Sequence, residues 1–222
     1  MVIAVDVDGT LFDGAEIARQ AIEALRAARA DGHTVLIVTG RRWEELGHVA
    51  SEVLPMTDRA VCEEGGVLVN VGTGDLTLLA EPSEPDLITA LRAAGIPDLD
   101  IGHVVIGAPT LSLDVVTEVR DQAGSRRRVI INKGSIALAP PGCDKGTGLR
   151  AAIADLRLEG RAIIAIGDAS NDLAMFEVAT IAVGVANSDD AVRASGVQLT
   201  TASFGLGVAE ALRRHLPRPV PD

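Results

Sequence analysis

Aromatic residues are nearly missing from this chain: three Phe, Trp43 and no Tyr in 222 residues. The core must then be aliphatic, built from Val, Ile, Leu and Ala, and a surface that stacks nucleobases is argued against. Positive charge is also short, with 20 Lys plus Arg against 31 Asp plus Glu and a formal net charge of −11. A phosphate backbone normally meets a basic stripe, so no nucleic-acid partner is expected. No uncharged apolar run approaches the ~20 residues of a spanning helix, and no membrane association is expected. Asp6 and Asp8 break the first apolar stretch too early for a signal peptide, so the expected location is cytoplasmic. Cysteine is limited to Cys62 and Cys143, far apart and without C-x-x-C spacing. Two reduced, partly buried thiols follow. His33, His48, His103 and His215 show no ligand spacing and read as surface or structural residues.

What is present suits a globular protein: 47% of residues are hydrophobic and 23% charged. The length fits one core with a modest inserted unit. Residues 2–7 read as a strand, 15–31 as a helix stopped by Gly32, 34–40 as a strand and 42–54 as a helix ended by Pro55. Short strands are expected around Gly65-Gly66. Further on, 145–158 reads as a helix, 161–168 as a strand, 171–179 as a helix, 180–186 as a strand and 189–196 as a helix. A last helix begins near Leu206 and ends before Pro217. Such alternation, with strands apolar on both faces, implies an α/β fold with a doubly wound parallel sheet.

The middle breaks this rhythm. Residues 81–102 carry prolines and a short amphipathic helix, 103–107 are apolar, 113–124 are mixed, and 127–140 read as two adjacent strands turned at Lys133-Gly134. A hairpin does not belong in a βαβ series. Residues 81–139 are therefore read as an inserted α+β unit, with 1–80 and 140–222 forming the core.

Polar groups collect where the core strands end, which is where doubly wound sheets place their chemistry. Asp6 and Asp8 close the first strand, and two residues apart they project to one face. Like charges held so close resist ionising together without a positive partner. Thr39-Gly40-Arg41 ends the second strand, and Gly167-Asp168-x-x-Asn171-Asp172 ends a later one. Lys145 opens the helix after the insertion and is one of only two lysines in the chain, beside Lys133. A compact ammonium suits a single phosphoryl oxygen. Taken together these groups supply a nucleophile, a metal site and neutralisation of phosphoryl charge. A Mg²⁺ shared by Asp6 and Asp168 would make the paired carboxylates tolerable.

Asp6-Val7-Asp8-Gly9-Thr10-Leu11, Thr39-Gly40-Arg41, Lys145-Gly146 and Gly167-Asp168-x-x-Asn171-Asp172, in this order, resemble the four motifs of the haloacid dehalogenase superfamily. The flanking Ala-Pro-Pro-Gly-Cys-Asp-Lys-Gly-Thr-Gly-Leu (139–149) is similar to its Cof-type branch, whose cap lies between the second and third motifs. That branch includes sugar-phosphate and short phosphoglycolate phosphatases, and phosphomannomutases. The resemblance implies Asp6 as a nucleophile that forms an aspartyl-phosphate and Asp8 as general acid and base. It implies Mg²⁺ on Asp6, the Asp8 carbonyl and Asp168, supported by Asp172. Gly9, Thr10, Thr39, Gly40, Lys145 and Asn171 are implied phosphate-binding residues. Glu64-Gly65-Gly66 departs from the Asn-Gly-Ala common in the branch.

The expected partner is a small phosphorylated metabolite, phosphoglycolate or a sugar phosphate, approached under a cap that excludes water. Arg126, Arg127, Arg128 and Lys133 read either as a solvated hairpin edge or as cations for a second anionic group. Asp13 and Arg42 are further possible substrate contacts. Two other readings remain open: a phosphomutase of the same superfamily, and a phospho-aspartate signalling module. Substrate identity and oligomeric state are not legible.

Overall fold

The computed structural model describes residues 1–132 and 134–216. In chain order it forms β1 (Val2–Val5), α1 (Arg19–Ala30), β2 (Thr34–Val38), α2 (Trp43–Val49), β3 (Arg59–Cys62), β4 (Val67–Asn70) and β5 (Leu76–Leu78). Then come α3 (Pro85–Ala93), β6 (Asp100–Ile101), β7 (Ile106–Pro109), α4 (Leu113–Gln122), β8 (Arg128–Asn132) and β9 (Ser135–Ala139). The last stretch adds α5 (Lys145–Asp155), β10 (Ile163–Gly167), α6 (Leu173–Phe176), β11 (Ile181–Gly184), α7 (Asp190–Ala194), β12 (Gln198–Leu199) and α8 (Phe204–His215).

The larger sheet runs β12-β11-β10-β1-β2-β3-β4-β5. Strands β12 through β3 pair in parallel, whereas β4 and β5 return antiparallel, so the sheet is mixed at one edge. Its central strands are apolar on both sides because each side meets helices. Ile3, Val5, Val35 and Ile37 pack with α1 and α8 residues such as Ile22, Leu25, Val208 and Leu212. The alternate residues Val2, Ala4, Leu36 and Val38 pack with Leu149 and Ile153 of α5 and Met175 of α6. The period of two along β1 and β2 thus divides the core into its two layers.

The second sheet, β6-β7-β9-β8, is wholly antiparallel and comes from residues 100–139. Ile106, Ala108, Ile136 and Leu138 face α3 and α4, where Leu87, Leu91 and Val116 complete a separate core. The alternate residues Gly107, Pro109, Ser135 and Ala137 line a cleft of about 910 Å³ that the smaller sheet shares with the motif loops of the larger one. Segment 113–124, read as mixed from its sequence, is largely the helix α4.

Several boundaries move. β1 stops at Val5, not Val7, because the Val7 carbonyl accepts from the amides of Thr10, Leu11 and Phe12 and curls the chain. Asp6 and Asp8 therefore sit in a loop, and the same-face argument for a strand does not apply to them. α1 begins only at Arg19, after Asp13 Oδ1 has bonded the amides of Ala15 and Glu16. α2 ends at Val49, and Pro55 lies in a separate 3₁₀ turn, Leu54–Met56. Cys62 and Cys143 are fully buried free thiols.

Candidate active site

β1 and β10 are adjacent and parallel, with Val5 opposite Ile166, so the residues that follow them are delivered side by side. Asp6 follows β1, with its amide bonded to the Ile166 carbonyl, and Asp168 follows β10. Asp172, in a 3₁₀ turn (Ser170–Asp172), folds back so that its Oδ2 accepts from the amides of Asp168 and Ala169 at 2.8 and 3.0 Å. Carboxylate oxygens of Asp6, Asp168 and Asp172 lie within 4.8 Å of one another, and all three residues are buried. Thr10 Oγ1 donates to Asp168 Oδ1 at 2.7 Å.

Lys145 reaches this cluster from the first turn of α5. Its Nζ donates to Asp6 Oδ1 at 2.7 Å and to Asp172 Oδ1 at 2.6 Å, and only 1% of the residue is exposed. The Asp144 side chain caps the helix by accepting from the Thr147 amide at 2.8 Å, which fixes where Lys145 emerges. Burial works against the lysine's charge, but Asp172, Asp6 and Glu64 outweigh it and hold the ammonium protonated well above its usual range. Burial raises the Asp6 pKa; Lys145 opposes this, and repulsion from Asp172 and Asp168 reinforces it. One ammonium among three buried carboxylates leaves uncompensated negative charge, a donor set that a divalent cation with oxygen ligands fits.

Asp8 is set apart from the cluster. Its two oxygens accept from Arg41 Nε and Nη2, both at 2.7 Å, and the guanidinium carbon lies 5.9 Å from the centre of the Phe12 ring. Gly9 has φ 87°, a left-handed conformation open to glycine, which turns the chain after Asp8. Thr39 is fully buried, and its Oγ1 accepts from the Arg41 amide at 3.2 Å. At Gly40 an ideal Cβ would lie 2.3 Å from Glu64 Oε1, so a side chain there would displace that carboxylate.

The turn after β3 contributes residues that had no role in the sequence reading. Glu63 and Glu64 are consecutive, buried and left-handed, with φ 51° and 54°. Glu64 accepts from Asn171 Nδ2 with both oxygens, at 3.0 and 3.1 Å, and burial pushes its pKa up against the pull of Lys145 and Asn171. Glu63 points toward the smaller sheet and accepts from the amides of His103, Val104 and Val105. Asn187 was missed as well: its Nδ2 donates to the Gly9 carbonyl and its Oδ1 accepts from the Phe204 amide. Two glutamates before Gly65-Gly66 at a strand end were the available signal for the turn. Asn187 had none.

Among the described residues, Arg126, Arg127 and Arg128 do not line the cleft. Arg127 is 2% exposed and donates to carbonyls of Pro82, Val104 and Leu138 while pairing with Glu84. It is therefore neither part of a solvated edge nor a substrate contact. Arg128 donates to the Cys143 carbonyl at 2.7 Å, and Arg126 is exposed. Lys133 lies outside the described residues. Asp13 and Arg42 both line the cleft. Among the described residues no helix is long and apolar enough to cross a membrane.

The family described as haloacid dehalogenase-like hydrolase matches residues 3–91 and 98–212. The phosphoglycolate phosphatase of Methanothermobacter thermautotrophicus is 31% identical over 96% of this chain and 98% of its own length. That of Haloarcula marismortui is 33% identical, covering 95% of each. Among solved structures, a haloacid dehalogenase-like hydrolase from Bacteroides thetaiotaomicron shares the fold with a TM-score of 0.80, at 20% identity and over 96% of this chain and 98% of that one. The match spans both sheets and every motif loop, and the chain belongs to the haloacid dehalogenase-like hydrolases.

Proposed function

We propose that the protein is a cytoplasmic, Mg²⁺-dependent phosphatase that hydrolyses a small phosphorylated metabolite through a phosphoryl group held transiently on Asp6. The observation that carries this reading is the buried cluster of Asp6, Asp168 and Asp172 around the Lys145 ammonium. Asp6, Asp168 and the Asp8 carbonyl would hold the cation, with Asp172 in support. Bound there, Mg²⁺ supplies neutralisation of carboxylate and phosphoryl charge.

The chain's own groups do the rest. An Asp6 oxygen attacks phosphorus while the bond to the leaving oxygen breaks, and Asp8 gives that oxygen its proton. Water then attacks phosphorus, phosphate departs, Asp6 is restored and Asp8 takes the water's proton. In support of this role, Asp8 lines the cleft and Arg41 bonds its carboxylate. To act as an acid it must release one of the two Arg41 bonds. Thr10, Thr39, Asn171, Lys145 and the amides of Gly9 and Gly40 receive the phosphoryl oxygens. Residues 81–139 act as the cap, whose Gly107, Pro109, Ser135 and Ala137 line the cleft.

The two relatives named phosphoglycolate phosphatase make phosphoglycolate the first substrate to test, with sugar phosphates second. Purified protein should release phosphate from phosphoglycolate and from an aryl phosphate with Mg²⁺, without a bisphosphate activator, and EDTA should stop it. Asp6→Asn should keep the fold and abolish release from both. Full turnover in that variant would remove the mechanism; a bisphosphate requirement would instead mark a phosphomutase.

A further inference from the structure

Carboxylates crowd the cleft, with Asp13, Glu45, Asp98 and Asp100 added to those near the motif loops; among the described residues only Arg41 and Arg42 bring positive charge to its lining. A phosphomonoester that carries a second anionic group must find a cation here beyond those that meet its phosphoryl oxygens. Arg41 is taken up by Asp8, on which both ends of its fork rest and to which one end stays bonded when Asp8 acts as an acid. Arg42 is held differently. Its Nε lies 2.6 Å from Asp100 Oδ1 but out of line, so this buried N–H has no hydrogen-bond acceptor. Its Nη2 reaches Glu45 Oε1 only at 3.4 Å. The Asp100 side chain is 46% exposed, and ion pairs that water can reach are weak. A planar carboxylate placed squarely on the guanidinium fork would make the in-line, paired contact that Asp100 does not make.

Position adds to this. Arg42 directly follows the Thr39-Gly40-Arg41 loop of the larger sheet, whereas Asp100 belongs to β6 of the smaller one. The pair therefore crosses the cleft through which a substrate enters. We infer that Arg42 is a specificity-determining residue that receives the carboxylate of a short phosphorylated hydroxy acid, exchanging Asp100 for it as the substrate docks. This rests on the phosphatase reading of the cleft and adds to it the means of selection. Asp100 then competes with the substrate, and its removal should help substrates with a carboxylate.

The test compares kcat/KM for phosphoglycolate and for 2-hydroxyethyl phosphate, which matches it in size and lacks the carboxylate. In Arg42→Gln the preference for phosphoglycolate should fall at least about tenfold, mainly through KM. Arg42→Lys, which keeps charge without the fork, should fall between the two, and Asp100→Asn should raise the preference. Equal losses on both substrates in the Arg42 variants, or a preference that drops in Asp100→Asn, would make the pair a structural latch and overturn the inference. So would a wild-type protein that prefers 2-hydroxyethyl phosphate. A wild-type protein that releases phosphate from neither compound, nor from an aryl phosphate, would instead sink the phosphatase reading itself. Melting curves of each variant separate a lost contact from a lost fold.

Discussion

Glu64 takes the Nδ2 of Asn171 on both of its carboxylate oxygens, at 3.0 and 3.1 Å, from a backbone held at φ 54°. A left-handed glutamate costs roughly 1 kcal/mol, a strain glycine would not carry. The side chain compensates by fixing the amide of Asn171 beside Asp172. Glu64→Gly suits the turn but removes that acceptor, so the melting temperature should hold or rise while kcat on an aryl phosphate falls about tenfold. Glu64→Gln, which keeps one acceptor oxygen, should lose less. Wild-type turnover in Glu64→Gly would show that Asn171 needs no such support.

Among the described residues Lys145 is the only cation bonded to Asp6 and Asp172, and it is as buried as they are. Removing one partner of a buried pair strands the other charge at a cost of about 3–5 kcal/mol. For a chain of this size, Lys145→Met should lower the melting temperature by roughly 10 °C without metal. Because the carboxylates then lack their counter-charge, Mg²⁺ should raise the melting temperature more in the variant than in the wild type. Scanning fluorimetry with and without Mg²⁺ reads both effects. The same metal response in the two proteins would mean that the cation binds elsewhere.

The same cluster sets a pH dependence. Asp6 holds its proton more tightly folded than unfolded, chiefly through burial, and Glu64 shifts the same way. Between the unfolded carboxylate pKa near 4 and the raised folded values, the native state binds more protons, so stability falls as pH rises through that window. Lys145 is also raised, and what it contributes is lost only above pH ~10.5, as the pH climbs through its folded pKa. Asp13 and Glu210 are lowered, and their contribution is lost at the acid end, below about pH 4. Metal-free protein should therefore melt lower at pH 8 than at pH 5.5, and Mg²⁺, which favours ionised Asp6, should flatten the slope. A metal-free melting temperature that climbs steadily over this range would contradict the sign.

The meeting of Asp6 with Asp168 was legible because parallel strands deliver the residues after them to one edge, and β1 and β10 are neighbours. Lys145 was legible through its rarity and its place at the start of a helix. The turn at Glu63–Glu64 was legible only as a turn, from Gly65-Gly66 at a strand end; its two consecutive non-glycine residues in the left-handed region, and the bonds their carboxylates make, were not. Arg127 was misread because three successive arginines look solvated, whereas the carbonyls that bury the middle one come from Pro82, Val104 and Leu138, distant in sequence. Strand β5 was missed because Leu76–Leu78 is a three-residue edge strand exposed along its whole length, too short to stand out from the turn before it.

Glu63 supplies the last prediction, since it ties the two sheets together beside the site. It is 1% exposed and accepts from the amides of His103, Val104 and Val105 at 3.1, 2.7 and 3.0 Å. Three donors converging on a carboxylate are stronger than neutral pairs, and Glu63→Gln would turn an amide N–H toward donors that have nowhere else to bond. The expected cost is about 3 kcal/mol, a fall of roughly 6–12 °C in melting temperature. Because the donors lie between β6 and β7, backbone exchange at residues 103–105 should accelerate more than exchange in β1 or β10. Hydrogen exchange resolved by peptide separates the two. Uniform acceleration would mean that Glu63 supports the fold as a whole and does not anchor the smaller sheet in particular.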